Sequence, residues 1–326
     1  MRLGRFEHSL GRLGALLVLG VALLPPCVQA ADQVHAGKAA APVWTFTLLD
    51  TGIEQGIFAK YGIDMDITAF PGDAKIQQAM ASGSIDFGLG SGPSMAFAAK
   101  GLPVVAIAAF AREPRNLGVI VDRDSPAKTA ADLKGKLVAV TTAGSLTEWL
   151  VKRLAIQEGW GLDGIRFAEI GAFDTSLAAL KTHQVDAMVG SAEAGYLLEE
   201  RGTARVLLTF EKYAPKFHTH IVFARKQLVD ENPDLANRFL KGVFASIAFM
   251  KANKEKTTET ATRVLKQSPE VMRRTYDKEI SMFETDGRFD PEAMAVLKQS
   301  FVDMGMLTEK PADDQLLTTK FLPVKP

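Results

Sequence analysis

The chain has 326 residues, enough for about two domains of ordinary size. Hydrophobic residues make up 47% and charged residues 23%, and 38 basic residues balance 38 acidic ones. That composition supports a buried core and, with the basic residues scattered rather than striped, argues against a phosphate-backbone partner, so no nucleic acid is expected.

Arg2, Arg5 and Arg12 precede an uncharged run of twelve residues, Leu13 to Leu24, and then "PPCVQA-AD". This reads as a secretory leader over residues 1–30, with Val28 and Ala30 at the −3 and −1 positions of a cleavage site. Twelve apolar residues are too few for the ~20 that cross a bilayer. Cleavage would remove Cys27, the single cysteine, and leave a chain of net charge −2. A periplasmic location follows as the expectation.

Beyond the leader, short apolar runs alternate with amphipathic segments. Strands are expected over 34–37, 63–70, 85–89, 104–110, 119–121, 137–141, 165–170, 185–189, 206–210 and 221–224. Segments such as "AKIQQAMASG" and "LTEWLVKRLAIQEG" repeat their apolar residues at three and four spacing, the helical period. Continuous apolar strands between helices predict parallel sheet covered on both faces. After Pro233 the pattern becomes wholly helical, over 233–252, 256–266, 269–282 and 291–304, with apolar stripes read as core.

"QQAMASGSIDFGLGS" (77–91) lies over "LAALKTHQVDAMVGS" (177–191) with a shift of 100 residues and no gap. Ala79/Ala179, Asp86/Asp186, Gly90/Gly190 and Ser91/Ser191 are identical pairs. Both copies read helix, turn, Asp-initiated strand, then Gly-Ser at the strand's carboxyl end. Two similar lobes are implied, each presenting a Gly-Ser strand end to a cleft, because ligands of open α/β sheets bind beyond the carboxyl ends of strands.

"GIEQGIFAKYGIDMDI" (52–67), "DLKGKLVAVTTAGSLTEWL" (132–150) and "ALKTHQVDAMVGS" (179–191) together resemble the solute-binding proteins of nitrate/sulfonate/taurine-type ABC importers. They are similar also to the thiamine-pyrimidine-precursor binding proteins. The resemblance covers about 34–305 and implies a type II periplasmic binding protein: two α/β lobes, a two-strand hinge and a helical C-terminal section. By position, "LGVIVDRDS" would cross outward and "HIVFARKQL" return, giving lobe 1 as 31–123 plus 217–326 and lobe 2 as 124–216. The resemblance implies a monomer that captures a small organic, sulfonate-like anionic solute and delivers it to an ABC permease and its ATPase. Nitrate fits less well, because "KAAAPVWTFTLLDTG" (38–52), in the place of the first ligand loop, has no charged residue between Lys38 and Asp50. A pyrimidine-binding protein, a periplasmic sensor module and an enzyme on the same fold are the alternatives.

Catalysis lacks a motif. Ser145 sits in Thr-Ala-Gly-Ser-Leu-Thr rather than the Gly-x-Ser-x-Gly of a nucleophile elbow, and nothing in the spacing nominates His183, His218 or His220 as a base. "GLGSGP" (88–93) fails the dinucleotide pattern, with Pro93 in the third glycine's place. His218-x-His220 lacks further metal ligands at recognisable spacing. No enzyme activity, cofactor or metal is expected. The candidate ligand-binding residues are Trp44, Thr45 and Phe46 of the first loop, Ser91 and Gly92, Arg112, then Thr141, Thr142, Gly144 and Ser145, with Ser191, Glu193 and His218 completing the wall. Loop N–H groups at a helix start favour an anionic head. Ser145 has a second reading, as the cap of its own helix with Glu148 completing a capping box. Arg112 fits either a ligand carboxylate or a solvated hinge surface, and Glu193 either a cationic group or solvent.

Overall fold

The computed structural model describes residues 30–40 and 43–326, with residues 1, 3 and 4. The leader read over 1–30 therefore lies almost wholly outside the described residues. Ala31 to Pro326 form one unit. Among the described residues no helix is long and apolar enough to cross a membrane.

The first half alternates strand and helix. β1 (Asp32–Lys38) leads through a 3-10 turn (Trp44–Phe46) into α1 (Thr47–Glu54) and α2 (Ile57–Lys60), followed by β2 (Ile63–Ala69), α3 (Asp73–Ala81) and β3 (Phe87–Ser91). A second 3-10 turn (Gly92–Met95), α4 (Ala96–Ala99) and β4 (Val104–Ala111) complete the first set. The second set is β5 (Leu117–Asp122), β6 (Leu137–Val140), α5 (Leu146–Gln157), β7 (Arg166–Glu169), α6 (Phe173–Lys181), β8 (Ala187–Ser191), α7 (Ala192–Glu200) and β9 (Ala204–Thr209). After β10 (His220–Arg225) come α8 (Lys226–Glu231), α9 (Pro233–Ala252), α10 (Lys254–Leu265), α11 (Pro269–Glu279) and α12 (Pro291–Asp303), with isolated bridges from Phe283 to Ala111 and from Leu317 to Ala106.

The ten strands form two five-stranded sheets, ordered β2-β1-β3-β10-β4 and β7-β6-β8-β5-β9. The two orders are the same pattern twice. In each sheet one strand runs antiparallel to both its neighbours, β10 against β3 and β4, and β5 against β8 and β9. The sheets are therefore mixed, where apolar runs alone had predicted parallel ones. The reversed strand in each is the one that follows a crossing, a long-range fact that local patterning does not carry.

The chain leaves the first sheet after Ala111 and enters the second at Leu117; it leaves the second after Thr209 and rejoins the first at His220. The outward crossing thus occupies 112–116. Leu117–Asp122, expected as a crossing strand with the lobe boundary at 123, belongs entirely to the second sheet.

The 100-residue repeat is visible atom by atom. α3 and α6 start at Asp73 and Phe173, and β3 and β8 start at Phe87 and Ala187. Asp86 accepts the His35 N–H at 2.9 Å, and Asp186 accepts the Leu137 N–H at 2.9 Å, so each aspartate, just ahead of its strand, pins it to the equivalent neighbouring strand, β1 or β6. Even the turn matches: Gly83 has φ +79° and His183 has φ +57°. His183 is thereby a turn residue in the left-handed region, the least comfortable place for a β-carbon in the motif.

Core packing fixes the first sheet against the C-terminal helices. Phe87 of β3 stacks on Phe239 of α9 with centroids 3.9 Å apart, and Phe58 of α2 joins them. α11 has a buried stripe, Val271, Met272, Thr275, Tyr276 and Glu279, at helical spacing. That stripe faces Trp44 and the start of α7, since Trp44, Ala192, Tyr196, Met272 and Tyr276 share one apolar cluster.

Candidate functional site

The segments leaving the carboxyl ends of β1 and β3 in one sheet meet those leaving β6 and β8 in the other. Trp44 follows β1, and its backbone N–H donates to Glu193 Oε1 at 2.9 Å, in the first turn of α7 after β8. An acidic side chain belongs in a first helical turn, where it meets the positive end of the macrodipole. Here it also ties the two sheets together, and both Trp44 and Glu193 are 0% exposed. The Trp44 ring packs edge-on to Tyr276 (6.2 Å, 82°) and against Phe283 at 5.4 Å.

A second bridge is made by Asn116, on the outward crossing. Its amide nitrogen donates to Thr45 Oγ1 at 2.9 Å and lies 2.8 Å from His220 Nε2. A side-chain amide has two N–H donors, so both contacts are satisfied if His220 accepts at Nε2 and keeps its proton on Nδ1. Complete burial, holding the His220 pKa down to about 3, fits that neutral ring. Phe46 and Phe110 cover the imidazole at 4.9 and 5.6 Å.

Beneath the β3 end, Asp73 in the first turn of α3 accepts from Ser91 N–H (2.8 Å) and Ser91 Oγ (2.6 Å). Burial raises the Asp73 pKa and the Ser91 bonds oppose it. Gly92 is forced by close approach: a β-carbon there would meet His218 O at 2.2 Å. His218 accepts the Asp290 N–H at Nε2 (2.8 Å), with its pKa pushed down to about 4 by burial. It thus braces the start of α12.

The Thr141–Ser145 loop is already occupied by the chain's own groups. Ser145 is the N-cap of α5, its Oγ accepting from Glu148 N–H at 3.3 Å. Glu148 reaches back to the Gly144 N–H at 2.6 Å, one residue upstream of an ordinary capping box, and its other oxygen pairs with Lys152 at 2.6 Å. Thr141 N–H donates to Thr147 Oγ1 at 2.9 Å, and the Thr141 hydroxyl shares that partner. So the capping reading holds for Ser145, a bond worth about 1 kcal/mol in general, and two of the N–H groups expected to hold an anion have protein partners. Thr142 is half-buried and faces Gly72 across the cleft, 3.9 Å from where that residue's β-carbon would lie.

Most of the sequence-predicted wall is brought together: Trp44, Thr45, Phe46, Ser91, Gly92, Ser191, Glu193 and His218 are all buried around the facing strand ends. Arg112 is not. It points outward with its side chain 53% exposed and pairs with Glu284 at 3.0 Å, the solvated-hinge reading. Two surface hollows of about 360 and 380 Å³ are lined by Asp50, Ile53 and Arg263 and by Met294, Lys298 and Lys310 with their neighbours, and none of the expected residues lines either. Among the described residues no group of three or more His, Cys, Asp or Glu could hold a metal. Sequence reasoning missed Asn116, Asp73, His220 as a wall residue, and Glu279. Glu279 did leave a signal, an acid at the end of the apolar stripe of α11.

Glu279 is 0% exposed and has neither oxygen bonded, and Glu193 Oε2 is likewise without a partner. Burial first, and their mutual repulsion second, raise the Glu279 pKa well above the usual range; burial lifts Glu193 to about 7.

The chain resembles the formylaminopyrimidine-binding protein of Halalkalibacterium halodurans, at 26% identity over 64% of this chain and 63% of that one. In structure it resembles the alkanesulfonate-binding protein SsuA of Xanthomonas axonopodis pv. citri, with a TM-score of 0.74 and 18% identity over 89% of this chain and 97% of the other. The fold is thus that of periplasmic binding proteins. It also occurs in the desulfurization enzyme DszB, at a TM-score of 0.62 and 18% identity over 88% of this chain and 97% of that one. Residues 45–257, from Thr45 of the first loop through both crossings to the end of α9 and the start of α10, match the profile described as "NMT1/THI5 like", and the chain belongs to that family.

Proposed function

We propose that this protein is the extracytoplasmic solute-binding component of an ABC importer, a monomer that carries a small organic solute to a membrane permease driven by an ATPase. The observation carrying this reading is the Trp44–Glu193 bond together with the Thr45–Asn116–His220 bridge, polar side chains from both sheets converging on one buried patch. With these groups buried, solute reaches them only when the sheets part, and the two crossings at 112–116 and 210–219 are the covalent links between them. Ligand-dependent closure then discriminates loaded from empty protein for the transporter. The Ser91–Asp73 hydroxyl–carboxylate contact also takes the Ser91 backbone N–H and so braces the β3 end, which supports binding rather than catalysis as the patch's chemistry.

The groups lining the patch favour a solute with N–H donors and a flat ring. Glu193 Oε2 and Asn116 Oδ1 are buried acceptors without partners, and Trp44 and Phe46 supply aromatic walls. The sulfonate reading draws support from the ligand named for the SsuA neighbour. Against it, Glu148 already takes the Gly144 N–H, and Lys38 and Arg112 are paired with Asp50 and Glu284. Calorimetric titration of the protein, refolded from denaturant to strip solute, separates the two. Formylaminopyrimidine should bind on the order of 100-fold more tightly than an alkanesulfonate, the cost of leaving a buried polar group unsatisfied by the wrong ligand. Tight binding of the sulfonate alone would reverse the solute assignment, and binding of neither class nor any related small organic would remove the solute-binding reading.

A further inference from the structure

Glu279 enters none of the contacts so far assigned to the solute, yet it lies where the solute site and the helical section meet. α11 packs against α7 along a seam: Arg274 Nη1 pairs with Glu199 at 2.8 Å and its guanidinium lies 3.8 Å over the Tyr196 ring, while Ser268 Oγ donates to Glu200 at 3.1 Å. At the inner end of that seam are Glu193, from the second sheet's side, and Glu279, from the helical section. Three of their four carboxyl oxygens have no partner.

The surroundings do not neutralise them. Arg274 is engaged by Glu199, Lys251 donates to Phe283 O, and Arg112 pairs with Glu284. Two further buried polar atoms in the same cluster also lack partners: Thr275 Oγ1, one helical turn before Glu279 on the same face, and Nε1 of Trp44, whose backbone is bonded to Glu193. Both residues are 0% exposed. Buried carboxylates without partners either keep their protons or hold a cation. Trp44 and Tyr276 of the same apolar cluster pack edge-on to each other.

We propose that Glu193 and Glu279 together form a subsite for a positively charged nitrogen group of the solute, an ammonium or a protonated amino-heterocycle, with Glu279 the second carboxyl that makes the site selective for charge. The proposal rests on the solute-binding reading and narrows the solute to a cation. Closure brings the two carboxyls from opposite sides of the cleft onto one group, so the charge of the solute contributes directly to holding the seam shut.

Three ring-bearing probes of similar size test it: benzylammonium, benzyl alcohol and phenylmethanesulfonate, each titrated calorimetrically at pH 8 into the stripped full-length protein. Benzylammonium is expected to bind at least tenfold more tightly than benzyl alcohol, and Glu279→Gln to erase that preference. Asp277→Asn, on the exposed face of α11 where Asp277 pairs with Lys254, should leave the preference intact. If Glu279→Gln does not fold, Glu193→Gln is read in its place, with the same expected loss. Probes that bind without regard to charge, or a benzylammonium preference that survives Glu279→Gln, overturn the subsite and leave the solute-binding reading standing. Failure of all three probes overturns the subsite as well, and the separate titration with formylaminopyrimidine and alkanesulfonate then judges the broader reading.

Discussion

Replacing Trp44 with alanine is expected to lower the unfolding free energy by about 3–5 kcal/mol, the range for emptying a fully buried aromatic site. The side chain fills the space between Tyr276 and Phe283. Neither neighbour can collapse readily into the gap, since Tyr276 donates its hydroxyl to Met250 O at 2.9 Å and Phe283 forms a backbone bridge to Ala111. The Trp44 N–H bond to Glu193 is made by the backbone and is retained in the variant, so the loss reports packing rather than the hydrogen bond. Trp44→Phe should recover more than half of it. Urea denaturation of the three proteins decides; a loss below about 1 kcal/mol for Trp44→Ala would show that the aromatic wall is not a core element.

The second large effect is on pH dependence. Burial holds His218 near 4 and His220 near 3, below the ordinary histidine value of 6.5, so the unfolded chain binds more protons than the native one as pH falls below 6.5. Their contribution is present above 6.5 and is lost in acid, through the folded pKa values. Glu193 and Glu279 act oppositely. Their folded pKa values are raised, Glu193 to about 7 from 4.5, so the native state holds protons that the unfolded chain releases. Their contribution is full below 4.5; that of Glu193 is lost as pH rises through about 7, and that of Glu279 as pH rises through its own raised value. Between 4.5 and 6.5 the two pairs offset each other, giving a plateau, and stability falls on either side. Glu193→Gln should remove much of the alkaline fall and be more stable than the parent at pH 8 by about 2–3 kcal/mol. Denaturation midpoints measured from pH 4 to 9 check this; a parent protein that gains stability from pH 6 to 8 would contradict the buried acid pair.

Much of the architecture was legible because the strands are short apolar runs between helices with clear three-and-four spacing, and all ten have counterparts in the two sheets. The Gly-Ser repeat was legible for a physical reason: Asp86 and Asp186 pin equivalent strands, so both copies need the same residue at the same offset. The position of the outward crossing was not. Leu117–Asp122 is as apolar as a buried crossing strand would be, and only its partners, β8 and β9, reveal which sheet owns it. Ser145 was ambiguous in sequence because a cap and an anion cradle need the same residues; the Glu148 side chain on Gly144 N–H separates them. Asn116 lies in "REPRNLG", a polar stretch without period, so nothing local marks it as the residue joining Thr45 to His220. Glu279 was readable in hindsight: Val271, Met272, Thr275, Tyr276 and Glu279 fall on one helical face, and an acid on an apolar stripe is costly unless it meets something.

The central claim is that two sheets close over a solute held between their facing strand ends. Ser84 and Gln184 occupy equivalent exposed turns of the repeat, one in each half, and in a Cys27→Ser background each can be changed to cysteine and spin-labelled. Pulsed electron resonance on the doubly labelled, stripped protein then reads the distance between the halves. A broad or longer distribution that collapses to a single shorter one when a calorimetrically confirmed solute is added is the result expected. One unchanged distribution, with and without saturating solute, would contradict closure as the basis of function.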